Sequence, residues 1–348
     1  MKFLFLALFL FIVLMSVSPP PVHDAREGNR EGCFITTGHI YKRWKERSDI
    51  GADQKFIEKA IPFINSIRPD FLVLTGDLIY HPKKMVKEQY EFVIQNVFNK
   101  IETKIYCLAG NHDTWWLPYP PAIEIFEKLI NPLHFSFEYK GSLFLFLSLY
   151  QPFPHVSGEG IQLPLKGVWD TFDTLASRSF LDALREELKG EYDHIFIFVH
   201  ISPITDYPIG YYWSHFLIPL LSSLRQDIHV FSTDHITRFP LYDQVNNVVR
   251  YNNIRFYNFA VFPRGSYIVH FDESNVRVDL REGDDFIPAI TQEIDFQPTT
   301  RWLMLRQYLR RRVAELQFWL HSLQGKNVKE HQLRRSDPNC LKCKPLFP

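Results

Sequence analysis

Five short polar clusters in this 348-residue chain carry side chains that bind divalent cations or move protons. They are Thr37-Gly38-His39, Gly76-Asp77, Gly110-Asn111-His112-Asp113, His200 and Thr233-Asp234-His235. Carboxylate, amide and imidazole groups together are a ligand set for hard-to-borderline divalent metals. Glycine just before Asp77 and just before Asn111 lets the backbone turn sharply and come close to an ion. Taken singly, the clusters differ in specificity. Gly-Asp after a strand is commonly a turn, and a lone histidine such as His200 is more often a satisfied core residue than a ligand. Gly-Asn-His-Asp says more, because a turn does not ask for His between Asn and Asp.

Each cluster falls at or just past the carboxyl end of an apolar run, where open α/β sheets place their ligands. The runs are Phe34 to Thr37, Phe71 to Leu74, Ile105 to Leu108, His194 to Val199 and His229 to Phe231. Continuous apolar strands of this kind are buried on both faces. Between them the spacing predicts a helix over Asp53 to Ile67, with Pro62 kinking it or marking two pieces. A second helix carries Val86, Tyr90, Val93 and Val97, a short one spans Ile123 to Leu129, and another carries Phe180, Leu184 and Leu188. Phe135 to Tyr139 alternates with period two and turns through Lys140-Gly141-Ser142 into Leu143 to Leu147, a hairpin signature. Three β-rich runs then follow without helices, at Arg255 to Val261, Ser266 to Phe271 and Val276 to Leu280. Alternation that becomes strand-only implies an α/β fold of mixed sheets under outer helices. The 31 Phe, within an aromatic content of 16%, suit heavily packed sheets.

The order Leu74-Thr75-Gly76-Asp77, Gly110-Asn111-His112-Asp113, Val199-His200-Ile201-Ser202-Pro203 resembles that of the calcineurin-like metallophosphoesterases, over roughly residues 33 to 281. Their pattern runs Asp-x-His, Gly-Asp, Gly-Asn-His-Asp/Glu, His, Gly-His-x-His. The resemblance implies a four-layer α/β/β/α sandwich of two mixed β-sheets flanked by helices. It implies that Asp77 bridges two metals, with His39 on the first and Asn111 and His200 on the second. His112 would face a phosphate-ester substrate, steadied by Asp113, and protonate the leaving oxygen or stabilise phosphoryl charge. Family members use manganese, iron or zinc, and the implied cofactor is two divalent ions, or one.

Two departures stand against the pattern. Thr37 replaces the first Asp, and Thr233-Asp234-His235-Ile236 replaces Gly-His-x-His. Asp234 can take the second metal in place of a histidine, and a one-residue shift would bring His235 to the first. The implied activity is hydrolysis of phosphomonoesters or phosphodiesters. The alternative that Thr37 and Ile236 motivate is a degenerate member that binds metal or ligand without turnover.

Charge and the termini bound the rest. Lys plus Arg and Asp plus Glu both number 39, so no global field draws nucleic acid, and no nucleic-acid partner is expected. Lys2 followed by an apolar run from Phe3 to Met15 reads, over residues 1–18, as an export signal or membrane anchor, placing the protein outside the cytoplasm. Residues 19–31 form a Pro-rich, charged linker, and 32–285 the phosphoesterase-like domain. Residues 286–325 are expected to carry an amphipathic helix, and 326–348 a tail containing Cys340 and Cys343. Within 301–323, Trp302, Leu305, Leu309, Val313 and Leu316 share a face flanked by arginines. That face either packs on its own domain or touches a membrane surface, as the N-terminal segment could. Trp115, Trp116 and Tyr119 either line a substrate cleft or pack their loop.

Overall fold

The structure, a computed structural model, describes residues 30–41, 51–80, 85–114, 120–148, 178–204, 213–233, 247–258, 266–282, 285–288 and 290–293. Residues 1–29 and 294–348 lie outside this set, as do Trp115, Trp116, Tyr119, Asp234, His235 and Ile236. The strands in chain order begin with β1 (Gly32–Thr37), β2 (Phe71–Leu74), β3 (Lys104–Cys107), β4 (His134–Tyr139) and β5 (Ser142–Leu147). They continue with β6 (His194–Phe198), β7 (Asp227–Ser232), β8 (Asn247–Tyr251) and β9 (Ile254–Asn258). The last are β10 (Ser266–Phe271), β11 (Val276–Glu282), β12 (Asp285–Pro288) and β13 (Ile290–Glu293). One sheet has the order β12-β11-β10-β1-β2-β3, and the other β13-β8-β9-β7-β6-β5-β4.

Both sheets are mixed, and the parallel pairs carry the functional edge. β1, β2 and β3 run parallel, with Phe34 opposite Phe71 and Phe71 opposite Lys104. Their carboxyl ends therefore deliver residues 37–39, 75–77 and 108–113 to one rim. In the other sheet β6 and β7 are also parallel, so His200 and Thr233 leave adjacent strand ends together. The backbone N–H of Thr233 donates to the carbonyl of His200 at 3.1 Å.

Period two explains why the apolar runs are unbroken. Phe34, Phe71 and Val73 point between the sheets, where they meet Phe144, Phe196, Phe198 and Phe231. Ile35, Leu72 and Leu74 point the other way, onto Ile64, Tyr90 and Phe126 from the covering helices and onto Phe56 just ahead of the first of them. Those helices are α1 (Ile61–Ile67), α2 (Val86–Asn96) and, after a four-residue α3 (Asn111–Thr114), α4 (Pro120–Leu129). Part of the aromatic surplus of the sequence is thus an inter-sheet layer. Phe34 sits at its centre, with ring centroids 5.3 Å from Phe71 and Phe196 and 5.6 Å from Phe144. Truncating this fully buried ring to Ala should lower unfolding stability by about 3–5 kcal/mol in denaturant titration, the usual loss for a core aromatic. A loss below about 1 kcal/mol would mean the sheets can collapse to fill the gap.

Three expectations need correction. The segment expected as one helix is a wide π-helical turn, Phe56–Ala60, running into α1. Pro62 lies in the first turn of α1, just past the junction, so of the two expected effects it marks two pieces. The domain limit expected at 285 falls inside the sheets. β12 pairs with β11 and β13 with β8, so the strand-bearing body extends to Glu293. Both strands have four residues and one contains Pro288, which is tolerated at a sheet edge and weakens the strand signal. β8 was likewise not expected; it pairs antiparallel with β9 through a tight turn at Asn252.

Candidate metal centre

The rim where β1, β2, β3 and β6 end gathers His39, Asp77, Asn111 and His200, all buried. Getting them there takes unusual backbone. Gly76, Asp77 and His39 have φ of 97°, 59° and 56°, the left-handed region that side chains rarely adopt. A Cβ at Gly76 would sit 2.7 Å from the Gly110 nitrogen and 2.8 Å from His200 Nδ1, so the two loops touch through glycine. The His39 N–H donates to the carbonyl of Gly76 at 3.0 Å and ties the first loop to the second.

Asp77 turns one carboxylate oxygen toward each histidine. Oδ2 lies 3.2 Å from His39 Nδ1, and Oδ1 lies 3.3 Å from His200 Nε2. His200 Nδ1 faces the Thr75 carbonyl at 2.8 Å, which fixes the proton on that nitrogen in the neutral ring. Nε2 then offers a lone pair, yet it lies 2.8 Å from Asn111 Oδ1. Lone pairs from an imidazole, an amide oxygen and a carboxylate therefore converge on one point. Asp77 Oδ2, fully buried, accepts no hydrogen bond. The ligand atoms of His39, Asp77 and His200 all lie within 4.8 Å of one another. Convergent lone pairs of this kind are what a divalent cation resolves, and this mix of nitrogen and oxygen suits manganese, iron or zinc. The residues present fit a metal.

Burial pushes the Asp77 carboxyl up to about 6, opposed mainly by the charge of His112. Burial raises Asp113 to about 7, with the Asp77 charge adding to it. The sign follows directly. A carboxyl raised in the folded state stabilises the metal-free protein below its ordinary value near 3.8, and that stability is lost as pH rises through about 6. A cation on Asp77 favours the ionised form and reverses the sign. The rise in melting temperature produced by Mn²⁺ over chelated protein should therefore grow between pH 5 and pH 7.5. A flat difference would remove Asp77 from the ligand set.

His112 sits at the lip, half-buried. Its backbone N–H donates to Asp77 Oδ1 at 3.0 Å, and its Nδ1 lies 3.0 Å from the Tyr80 carbonyl. That contact, and not Asp113, holds the ring. Asp113 was expected to steady His112; instead its carboxylate accepts N–H groups of Gly110 and Asp77 at 2.7 Å, Leu78 at 3.0 Å and Ile79 at 3.1 Å. It is a buried hub binding the two glycine loops together. Tyr80, Thr75 and Tyr90 escaped the sequence reading. Tyr80 and Thr75 act through backbone carbonyls, which carry no side-chain signal. Tyr90, whose hydroxyl reaches Asp113 at 3.3 Å, is indistinguishable in sequence from a core residue of α2.

Of the sequence-expected ligands, four are brought together, and Asp234 and His235 lie outside the described residues. Thr233, immediately before them, is buried against the site, 3.0 Å from the Thr75 hydroxyl. Thr37 is buried at the end of β1.

Two mixed sheets in face contact, covered by helices, with a carboxylate between two histidines at the strand ends, define a metallophosphoesterase fold with a candidate metal centre. A family model for calcineurin-like phosphoesterase matches residues 48–255, and the chain belongs to that family. Among individual proteins, it is similar to the serine/threonine-protein phosphatase CPPED1 of Bos taurus, 31% identical over 120 residues, 31% of this chain. The chain spans 38% of that relative's length. Among solved structures it is similar to a dimetal phosphatase from Danio rerio, with 12% identity and a TM-score of 0.49, covering 74% of this chain and 98% of that one. Another is the purple acid phosphatase PPD1 from yellow lupin (Lupinus luteus) seeds, with 10% identity and a TM-score of 0.45, covering 77% and 55%.

Proposed function

We propose that this chain is a metal-dependent hydrolase of phosphate mono- or diesters that acts outside the cytoplasm. The observation that carries the reading is Asp77, a buried carboxylate with one oxygen 3.2 Å from His39 Nδ1 and the other 3.3 Å from His200 Nε2. His39, Asp77, Asn111 and His200 would hold the metal, which would supply Lewis acidity toward a phosphoryl oxygen. His112, with Nδ1 occupied by Tyr80, keeps Nε2 for the leaving oxygen, to protonate it or to stabilise its charge. The phosphatase named among its relatives supports a phosphate-ester substrate. Action outside the cytoplasm is supported by Lys2 and the apolar run Phe3 to Met15, and membrane-surface contact by the amphipathic pattern of 301–323.

A second reading, metal or ligand binding without turnover, is favoured by Thr37, since a neutral hydroxyl replaces an anionic ligand of the first metal. Metal content separates the two. The hydrolase reading expects two ions per chain and manganese-dependent cleavage of aryl phosphate esters. One ion, no cleavage, and a second ion gained by Thr37→Asp would establish the degenerate reading. A protein that binds no divalent metal overturns both.

A further inference from the structure

We propose that Tyr41 and Tyr80 form, with His112, a stacking surface that selects esters whose leaving group is an aromatic ring carried directly on the phosphoryl oxygen. The proposal rests on the hydrolase reading and narrows its substrate class. The Tyr80 ring stacks on His112 with centroids 5.2 Å apart and planes 21° from parallel. The Tyr41 ring lies 5.0 Å from His112, 5.5 Å from Tyr80 and 5.8 Å from His39. One continuous strip of rings therefore runs from a metal ligand to the residue that meets the leaving oxygen. Its three outer members are half-buried, whereas the metal-binding side chains beneath them are buried. Among the described residues, the strip is a partly exposed surface beside the centre.

An oxygen that meets His112 Nε2 is at the edge of this strip. A ring attached to that oxygen comes within the range of about 4.5–7 Å between centroids at which aromatic pairs attract. An alkyl ester, such as a phosphoserine side chain, presents no ring. A nucleobase is separated from its phosphate by a sugar and falls past the strip. Stacking of this kind is worth between about 2- and 12-fold in affinity beyond the contact area itself.

The full chain loaded with Mn²⁺ can be titrated calorimetrically with phenylphosphonate, methylphosphonate and an adenosine 5′-phosphonate, none of which can be cleaved at phosphorus. Phenylphosphonate should bind more tightly than methylphosphonate, with about 2- to 12-fold of the ratio owed to stacking beyond the contact area. The ratio should fall by about 2- to 12-fold in Tyr41→Leu and Tyr80→Leu, and persist in Tyr41→Phe and Tyr80→Phe, which keep the ring. Equal binding of the two ligands by the wild type, or a ratio unchanged by the Leu variants, overturns the proposal. So does a ring-dependent gain confined to the adenosine compound, which would make a base the group recognised. If the Leu variants lose methylphosphonate as well, the rings hold the site together without reading the ester, and the proposal fails. Cleavage of phenyl phosphate without discrimination among phosphonates defeats this inference alone. Discrimination without cleavage of any ester defeats the hydrolase reading and leaves the aryl-binding surface standing.

Discussion

His112→Ala should retain its metal and lose about 10²–10⁴-fold in kcat on phenyl phosphate, the span of general acid catalysis by a positioned side chain. The metal should stay because the substitution spares what His112 gives the centre: its backbone N–H still donates to Asp77 Oδ1. What disappears is an imidazole fixed by the Tyr80 carbonyl. A proton donor matters most when the departing oxygen is basic. The loss should therefore be larger for phenyl phosphate than for a nitrophenyl ester, whose leaving group needs less help. Rates for wild type and variant that agree within a factor of two, at equal metal content, would remove His112 from the chemistry. A uniform loss across leaving groups would assign it to stabilising phosphoryl charge, the other role open to it.

Asp113→Ala should be the most destabilising change near the site. The carboxylate accepts four backbone N–H groups, from Asp77, Leu78, Ile79 and Gly110, in a fully buried position. Each donor left without an acceptor costs about 1–3 kcal/mol, and neighbouring donors share part of that loss. A net fall of at least about 4 kcal/mol is expected, against a total stability of about 5–15 kcal/mol for an ordinary domain. Asp113→Asn restores one acceptor oxygen and places an NH₂ against the remaining donors, so it should recover only part. Denaturant unfolding of the metal-loaded proteins measures this. A loss under about 1 kcal/mol would show that water or another acceptor serves these loops.

The parallel strands and their outer helices were legible because burial on both faces leaves an unbroken apolar run, as in Phe71 to Leu74 and His194 to Phe198. The candidate clusters were legible because glycine, carboxylate and imidazole at strand ends have few other reasons to coincide. Other features were not. The role of Asp113 could not be read, since a carboxylate beside a histidine in sequence suggests a pair, whereas backbone donors are invisible there. The hold on His112 is a main-chain carbonyl, which every residue possesses. Pro62 was ambiguous because its effect depends on where the helix begins, and the wide turn at Phe56–Ala60 moved that point.

The segment that closes the described chain has a consequence for how the two layers stay in register. β12 finishes an edge of one sheet and β13 an edge of the other, with a single residue, Ala289, between them. The polypeptide is in effect a stitch passed from one layer to its neighbour. Cutting the chain at 285 would unpick both margins at once, baring two rows of unpaired amides open to intermolecular pairing. A fragment intended to keep the phosphoesterase body must therefore carry the hem, through Glu293.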